Sequence, residues 1–209
     1  INMYQPSQFK EERLEVLHGL VQAHPFGTLV TQQDGGLTAD HLPFVLDPPT
    51  ANAPFGILRG HVARANPLWH AAQTDTDALA IFQGPHAYIT PAWYEEKALT
   101  GKVVPTYNYA VVHAHGRVRA VEDPVWLRAL LDTLTATNEN RRAQPWAIAD
   151  APPDYIEKMM SAIVGIEIVL ARVTGKWKVS QNRSAADRAN VAAGLAGAGE
   201  AGMAQLVRG

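Results

Sequence analysis

The 209-residue chain contains no cysteine. Disulfides, thiolate zinc sites, iron–sulfur clusters and a cysteine nucleophile are therefore excluded. It also lacks an excess of charge: 18 Lys and Arg stand against 20 Asp and Glu, a formal net charge of −2. No global positive field exists to hold a polyanion, so nucleic-acid binding needs a local basic patch. No apolar run approaches the roughly 20 residues that span a bilayer, and no basic region leading into an apolar stretch opens the chain. A cytoplasmic protein without membrane contact is the expectation. Met3 reads as a natural start, preceded by Ile1 and Asn2. The G-x-S-x-G elbow, the P-loop and G-x-G-x-x-G are all missing, which leaves hydrolase, NTPase and Rossmann readings without their signatures. Asp40-His41 defines no triad by itself, because triads are set by geometry.

What is present suits a globular protein: 47% hydrophobic and 18% charged residues, with 16 Gly and 14 Pro. The length fits one large domain, or a core with a helical appendage. Leu14, Leu17, Leu20 and Val21 recur at helical spacing within residues 8–23, with Ser7 as an N-cap and His24-Pro25 as the stop. Phe26 to Thr31 and Leu37 to Leu46 flank Gln32-Gln33-Asp34-Gly35-Gly36, the pattern of a hairpin. Pro43 removes a ladder donor and assigns the second strand to an edge or a bulge. Phe55 to Ala63 predicts a strand, followed by a short helix with Asn66 as cap and Pro67 at its start. Ala78 to Gln83 and Ala87 to Thr90 predict two strands joined by Gly84-Pro85, and Pro105 to Val121 is long enough for one strand or two. Asp123-Pro124 opens a helix, and Asp154 to Ile163 suggests another. Ile166 to Val179 alternates as a strand broken by a turn at Thr174-Gly175, and the Ala- and Gly-rich residues 189–209 predict a weak helical tail that frays. Short strands with helices at the corners point to a mainly β, α+β antiparallel barrel rather than a doubly wound sheet. Residues 3–191 form the expected domain and 192–209 its tail.

Four constellations carry chemistry. In Arg59 to Pro67, alternation puts Arg59 and His61 on one strand face, and Arg64 and Asn66 precede a capped helix start, an arrangement suited to a phosphate or to plain surface charge. Phe82 to Tyr94 surrounds Thr90 with aromatics, which line a flat ligand or fill a core. In Pro105 to His115 an extended strand puts Tyr107, Tyr109, Val111, His113 and His115 on one face and Asn108 on the other. His113-x-His115 lacks a third ligand at a recognisable spacing, so no metal site is expected. Lys176 to Arg188 is the one concentrated basic segment, net +3. It grips a phosphate of a cofactor or of DNA, or begins a solvated helix.

Taken in order, Met3-Tyr4-Gln5-Pro6 with Phe9, His41-Leu42-Pro43-Phe44, Gly60 to Pro67, Gly84 to Tyr94, Val104 to Tyr109 and Ser180-Gln181-Asn182-Arg183 resemble the FMN-binding negative transcriptional regulators, the PaiB-like family. The likeness runs from about residue 3 to residue 191. Tyr107 stands where the family more often has Trp, and Thr90 where Ser is common. The resemblance implies an FMN-binding split β-barrel that forms a homodimer, with flavin in the cleft between subunits. His61, Arg64 and Asn66 are assigned by it to the phosphate region and His41 to the ring. Tyr88, Thr90, Tyr107 and Asn108 shape the pocket, and Lys178, Gln181 and Arg183 reach the phosphate or ribityl chain. It implies repression of transcription, hence DNA as a partner. The alternative is a flavin-dependent oxidoreductase using NAD(P)H, with flavin reductases, pyridoxine phosphate oxidases and heme-degrading proteins as similar barrels. Heme would take His113 or His115 as axial ligand. No catalytic residue is assigned.

Overall fold

A computed structural model describes residues 3–33, 35–73 and 76–209. Ile1 and Asn2, and Asp34 of the hairpin turn, lie outside the described residues. Eight strands form one sheet: β1 (Lys10–Glu11), β2 (Phe26–Gln33), β3 (Gly36–Pro43), β4 (Val45–Asp47), β5 (Ile57–Ala63), β6 (Thr76–Ile89), β7 (Thr106–Val121) and β8 (Ile163–Lys178). Seven α-helices are present among the described residues: α1 (Leu14–Ala23), α2 (Leu68–Ala72), α3 (Glu96–Leu99), α4 (Pro124–Glu139), α5 (Pro153–Ser161), α6 (Ala185–Gly197) and α7 (Ala201–Arg208). The order across the sheet is β3-β2-β6-β7-β8-β5-β4, with β1 added to β8. The registered pairs β2–β3, β2–β6, β4–β5, β5–β8 and β1–β8 are all antiparallel. No helix among the described residues is long and apolar enough to cross a membrane.

The chain divides into two compact units. One comprises Ile1–Leu20, Gln83–Val112 and Thr174–Gly209, the other Val21–Phe82 and His113–Val173. In the second unit the β2–β3 hairpin turns at Gly35, whose φ of 80° suits a residue without a Cβ. Pro43 closes the register opposite Phe26 on β3, which is an edge strand, where a missing donor costs least. The sheet of this unit curls: a Cβ on Gly60 of β5 would lie 2.9 Å from Leu42 Cδ1 and 3.2 Å from the Pro43 carbonyl oxygen of β3. Leu42, Phe44, Leu58, Val62 and Phe82 fill its interior, with Phe44 and Phe82 edge to face at 5.6 Å. Helix α4 starts as its sequence requires, with Asp123 accepting the Val125 N–H at 2.8 Å. Trp126 of α4 then covers Gly165 of β8, where a Cβ would lie 2.4 Å from the indole.

In the first unit, α6 and α7 bury Val191, Leu195, Met203 and Val207 against Ala87, Ile89 and Tyr94. Each fully buried aliphatic side chain contributes about 1.5–3 kcal/mol. The C-terminal residues are therefore helical as expected but packed rather than frayed.

Several local expectations are corrected. α1 begins at Leu14 rather than at residue 8, because Lys10 and Glu11 pair with Lys176 and Gly175 of β8. The Glu11 carboxylate, not Ser7, takes the backbone N–H groups of Glu12 and Arg13, at 3.0 and 2.9 Å. Residues 76–89 form one strand, not two. Gly84 packs where a Cβ would meet Leu20 at 2.8 Å, and the β2–β6 ladder stops at Ile81, so Pro85 falls beyond it. β7 is one strand. β8 runs unbroken through Thr174-Gly175: Gly175 is there because a Cβ would lie 2.2 Å from Leu17 Cδ2, so it serves close packing of α1 rather than a turn.

Candidate functional site

In the first unit the end of β6, the start of β7 and the end of β8 supply the sequence-predicted side chains Tyr88, Thr90, Tyr107, Asn108, Lys178, Gln181 and Arg183. Alternation along β7 turns Asn108 inward, where it is 1% exposed. Its Nδ2 donates to Ser180 Oγ at 2.8 Å. Ser180 holds a left-handed φ of 65°, a conformation costly for a non-glycine residue, and the Asn108 bond together with the Arg183 N–H to the Ser180 carbonyl at 2.9 Å fixes it. Gln181 clamps the same turn: its Oε1 accepts the Val179 N–H at 2.7 Å and its Nε2 donates to the Trp177 carbonyl. The segment after β8 is thus a rigid turn leading into α6. Ser184 caps α6 through the Asp187 N–H, and the buried Asp187 accepts the Glu95 N–H at 2.9 Å.

Two cations flank this turn. Lys178 Nζ bonds Thr106 Oγ1, and burial pushes its pKa below the ordinary lysine value, with the charges of Lys176 and Arg183 adding to the shift and Tyr109 opposing it. The Arg183 guanidinium lies 4.3 Å from the centroid of the Tyr94 ring, a cation–π stack. Burial raises the pKa of the Tyr94 phenol, while the adjacent Arg183 pulls it down. Neither Lys178 nor Arg183 is ion-paired with a carboxylate among the described residues. Tyr88 and Tyr107 meet edge to face at 5.9 Å and are more than half exposed. Thr90 accepts the Ala92 N–H at 3.2 Å and so caps the 3-10 turn Pro91–Trp93. Uncompensated cations, a rigid turn and exposed aromatic rings fit the chemistry of an anionic, aromatic cofactor. Sequence reasoning missed Ser180, Tyr94 and Thr106 as supports. The available signal was Asn108, a polar residue on the inward face of a strand, which requires a buried partner.

In the second unit the remaining four residues are already engaged or apart. Arg64 Nη1 binds Glu122 Oε2 at 2.7 Å, and its Nε and Nη2 donate to the carbonyls of Ser161 and Ile163 at 2.9 and 3.3 Å. Asn66 Oδ1 accepts the Leu68 N–H at the start of α2, and its Nδ2 donates to Asp40 Oδ1 at 2.7 Å. His61 sits in register with Gly165, which Trp126 covers; burial depresses its pKa, and its Nδ1 has no partner. His41 is exposed and stacks on Phe26 with ring centroids 6.4 Å apart. Arg59, on the face of His61, is bidentate to Asp47 at 2.6 Å and lies over Trp126. His113 and His115 stand 6.5 Å apart, half-buried, with pKa values lowered first by burial.

Residues 3–172 match the family described as "Putative FMN-binding domain". The chain belongs to this family. The "Protease synthase and sporulation protein PAI 2" of Bacillus subtilis is 34% identical over 90% of this chain and 87% of its own length. An uncharacterized protein of Emericella nidulans is also 34% identical, over 99% of this chain and 96% of its own length. Among solved structures, the FAD and heme binding protein from Mycobacterium smegmatis gives a TM-score of 0.58 at 16% identity, covering 81% of this chain and 73% of that one. The flavocytochrome Anf3 from Azotobacter vinelandii gives 0.59 at 13%, covering 84% and 72%. The fold is therefore that of the flavin-binding split barrels, as the motifs led one to expect, and FMN is the cofactor of the family.

Proposed function

We propose that this FMN-binding, PaiB-like protein is a negative transcriptional regulator whose flavin phosphate is held by Lys178 and Arg183. The observation that carries the flavin assignment is the contrast in charge compensation: Arg59 and Arg64 are neutralised by Asp47 and Glu122, whereas Lys178 and Arg183 have no carboxylate partner among the described residues. A phosphate with up to two negative charges stabilises such cations at no cost in broken ion pairs. Asn108 and Gln181 hold the turn that carries them. Tyr88 and Tyr107 offer ring surface for the isoalloxazine, with Thr90 at the end of the same strand. Bound FMN supplies reversible electron transfer. A homodimer covers the exposed Tyr88 and Tyr107.

The regulatory part of the reading is supported by likeness over most of the chain to a relative named for protease synthesis and sporulation. The basic segment 176–188 is the patch available for DNA, doubled in a dimer. Desalting after incubation with FMN, followed by an absorption spectrum, tests the cofactor: a retained flavin band is expected, and its absence overturns the assignment. Mobility shift on promoter DNA across a salt series tests the regulator. A shift that weakens steeply with salt is expected. No shift, together with FMN-dependent NAD(P)H oxidation, replaces the regulator with an oxidoreductase.

A further inference from the structure

The second unit carries a cleft of about 550 Å³ between α4, the C-terminal end of α1 and the β3–β4 corner. Its apolar wall is formed by Val21, Phe26, Pro43, Val45, Leu46 and Leu134. None of its lining side chains is ionisable. Neighbouring clefts differ: one contains Arg119 and Glu122, another Arg64, Glu122 and Glu157, and a third Asp132 and Glu139. The hydroxyl donors of the α4 wall are spent on their own helix. Thr133 Oγ1 donates to the Ala129 carbonyl, Thr137 Oγ1 to that of Thr133, and Asn138 Nδ2 to that of Leu134, each at 2.8 Å. What the two threonines leave for a ligand is acceptor capacity, while Asn138 keeps one N–H and its Oδ1. Gln22 stands exposed at the rim. The floor is pinned to the wall by the Phe44 N–H, which donates to the Pro25 carbonyl at 2.9 Å, and two prolines stiffen it. Phe26 is 66% exposed at the mouth, beside His41. The cleft is therefore lined by uncharged side chains and richer in acceptors than in donors, with an aromatic ring left in water.

We infer that this cleft binds an uncharged, mainly apolar small molecule of two or three rings that carries a hydrogen-bond donor, at a site separate from the flavin. A ligand of this class covers Phe26 and the aliphatic wall, and gives its donor to an acceptor on α4. A carboxylate there finds no charged lining side chain and only the amide N–H groups of Gln22 and Asn138, so it loses its hydration with little compensation.

Equilibrium dialysis with 2-naphthol, 2-methoxynaphthalene and 2-naphthoate, with and without excess FMN, tests this. One 2-naphthol per chain is expected, unaffected by FMN. Loss of the donor in 2-methoxynaphthalene weakens binding about fivefold, and the charge of 2-naphthoate weakens it by about tenfold or more. Leu134→Trp fills the cleft and abolishes binding. Phe26→Ser, at an exposed position that the fold does not need, weakens it about threefold and serves if Leu134→Trp fails to fold. Equal binding of 2-naphthoate, wild-type affinity in both variants, or displacement of 2-naphthol by FMN each overturns the inference. The last result would assign the cleft to the flavin site.

Discussion

Arg64 and Arg183 occupy equivalent places in the chain: each follows a strand, β5 or β8, and precedes a helix, α2 or α6. Their surroundings are opposite. All three guanidinium nitrogens of Arg64 are used, by Glu122 and by the carbonyls of Ser161 and Ile163. Arg183 is stacked on Tyr94 and has no carboxylate partner among the described residues. A strand-to-helix junction with an arginine is thus a lock in one unit and an open cation in the other. The difference lies in residues 58 and 97 positions away from Arg64, which no local motif contains.

Loosening the locked unit has the largest expected effect. Gly165→Ala places a methyl 2.4 Å from the Trp126 indole and 2.9 Å from the Val121 carbonyl oxygen, displacing α4. Urea unfolding should show a loss of about 3 kcal/mol; a near-neutral change would mean that Trp126 is free to move. Next, Lys178→Gln combined with Arg183→Gln should weaken FMN binding about a hundredfold in a fluorescence titration. Arg64→Gln should leave FMN affinity within about threefold and cost about 1 kcal/mol of stability, since the Arg64–Glu122 pair is largely exposed. The reverse ranking would transfer the phosphate to the second unit.

A finer test is pH. Burial holds the Lys178 ammonium less firmly than usual, so its charge is lost at lower pH than in an ordinary lysine. FMN affinity should fall as pH rises through that lowered pKa, and Lys178→Gln should flatten this part of the profile. The smallest effect is on acid stability. His61 and His113 have folded pKa values depressed by burial, so the unfolded chain binds protons more readily. Stability is then lost as pH falls from the ordinary histidine value through the lowered ones. His61→Gln and His113→Gln should each reduce the drop in melting temperature on acidification. An unchanged drop would show that these rings titrate normally.

The hairpin at Gly35, the edge position of the Pro43 strand and the Asp123 cap of α4 were legible in the sequence because each depends on a few adjacent residues, although the run expected to reach Leu46 stops at Pro43 and β4 starts anew at Val45. Gly84-Pro85 and Thr174-Gly175 misled for the same reason. Their glycines resemble turn residues, yet each admits a leucine of α1 against a continuous strand. The site divides in the same way. Tyr88, Tyr107, Lys178 and Arg183 stand out as residue types, whereas Ser180 and Tyr94, although they belong to the family motifs, meet their partners Asn108 and Arg183 only in the folded chain.

The α+β class and the family follow from alternation, caps and ordered motifs, which are local properties of the chain. Only the tertiary structure decided which cations are free. Charge compensation depends on carboxylates and carbonyls brought near by folding, at sequence distances where no spacing rule applies.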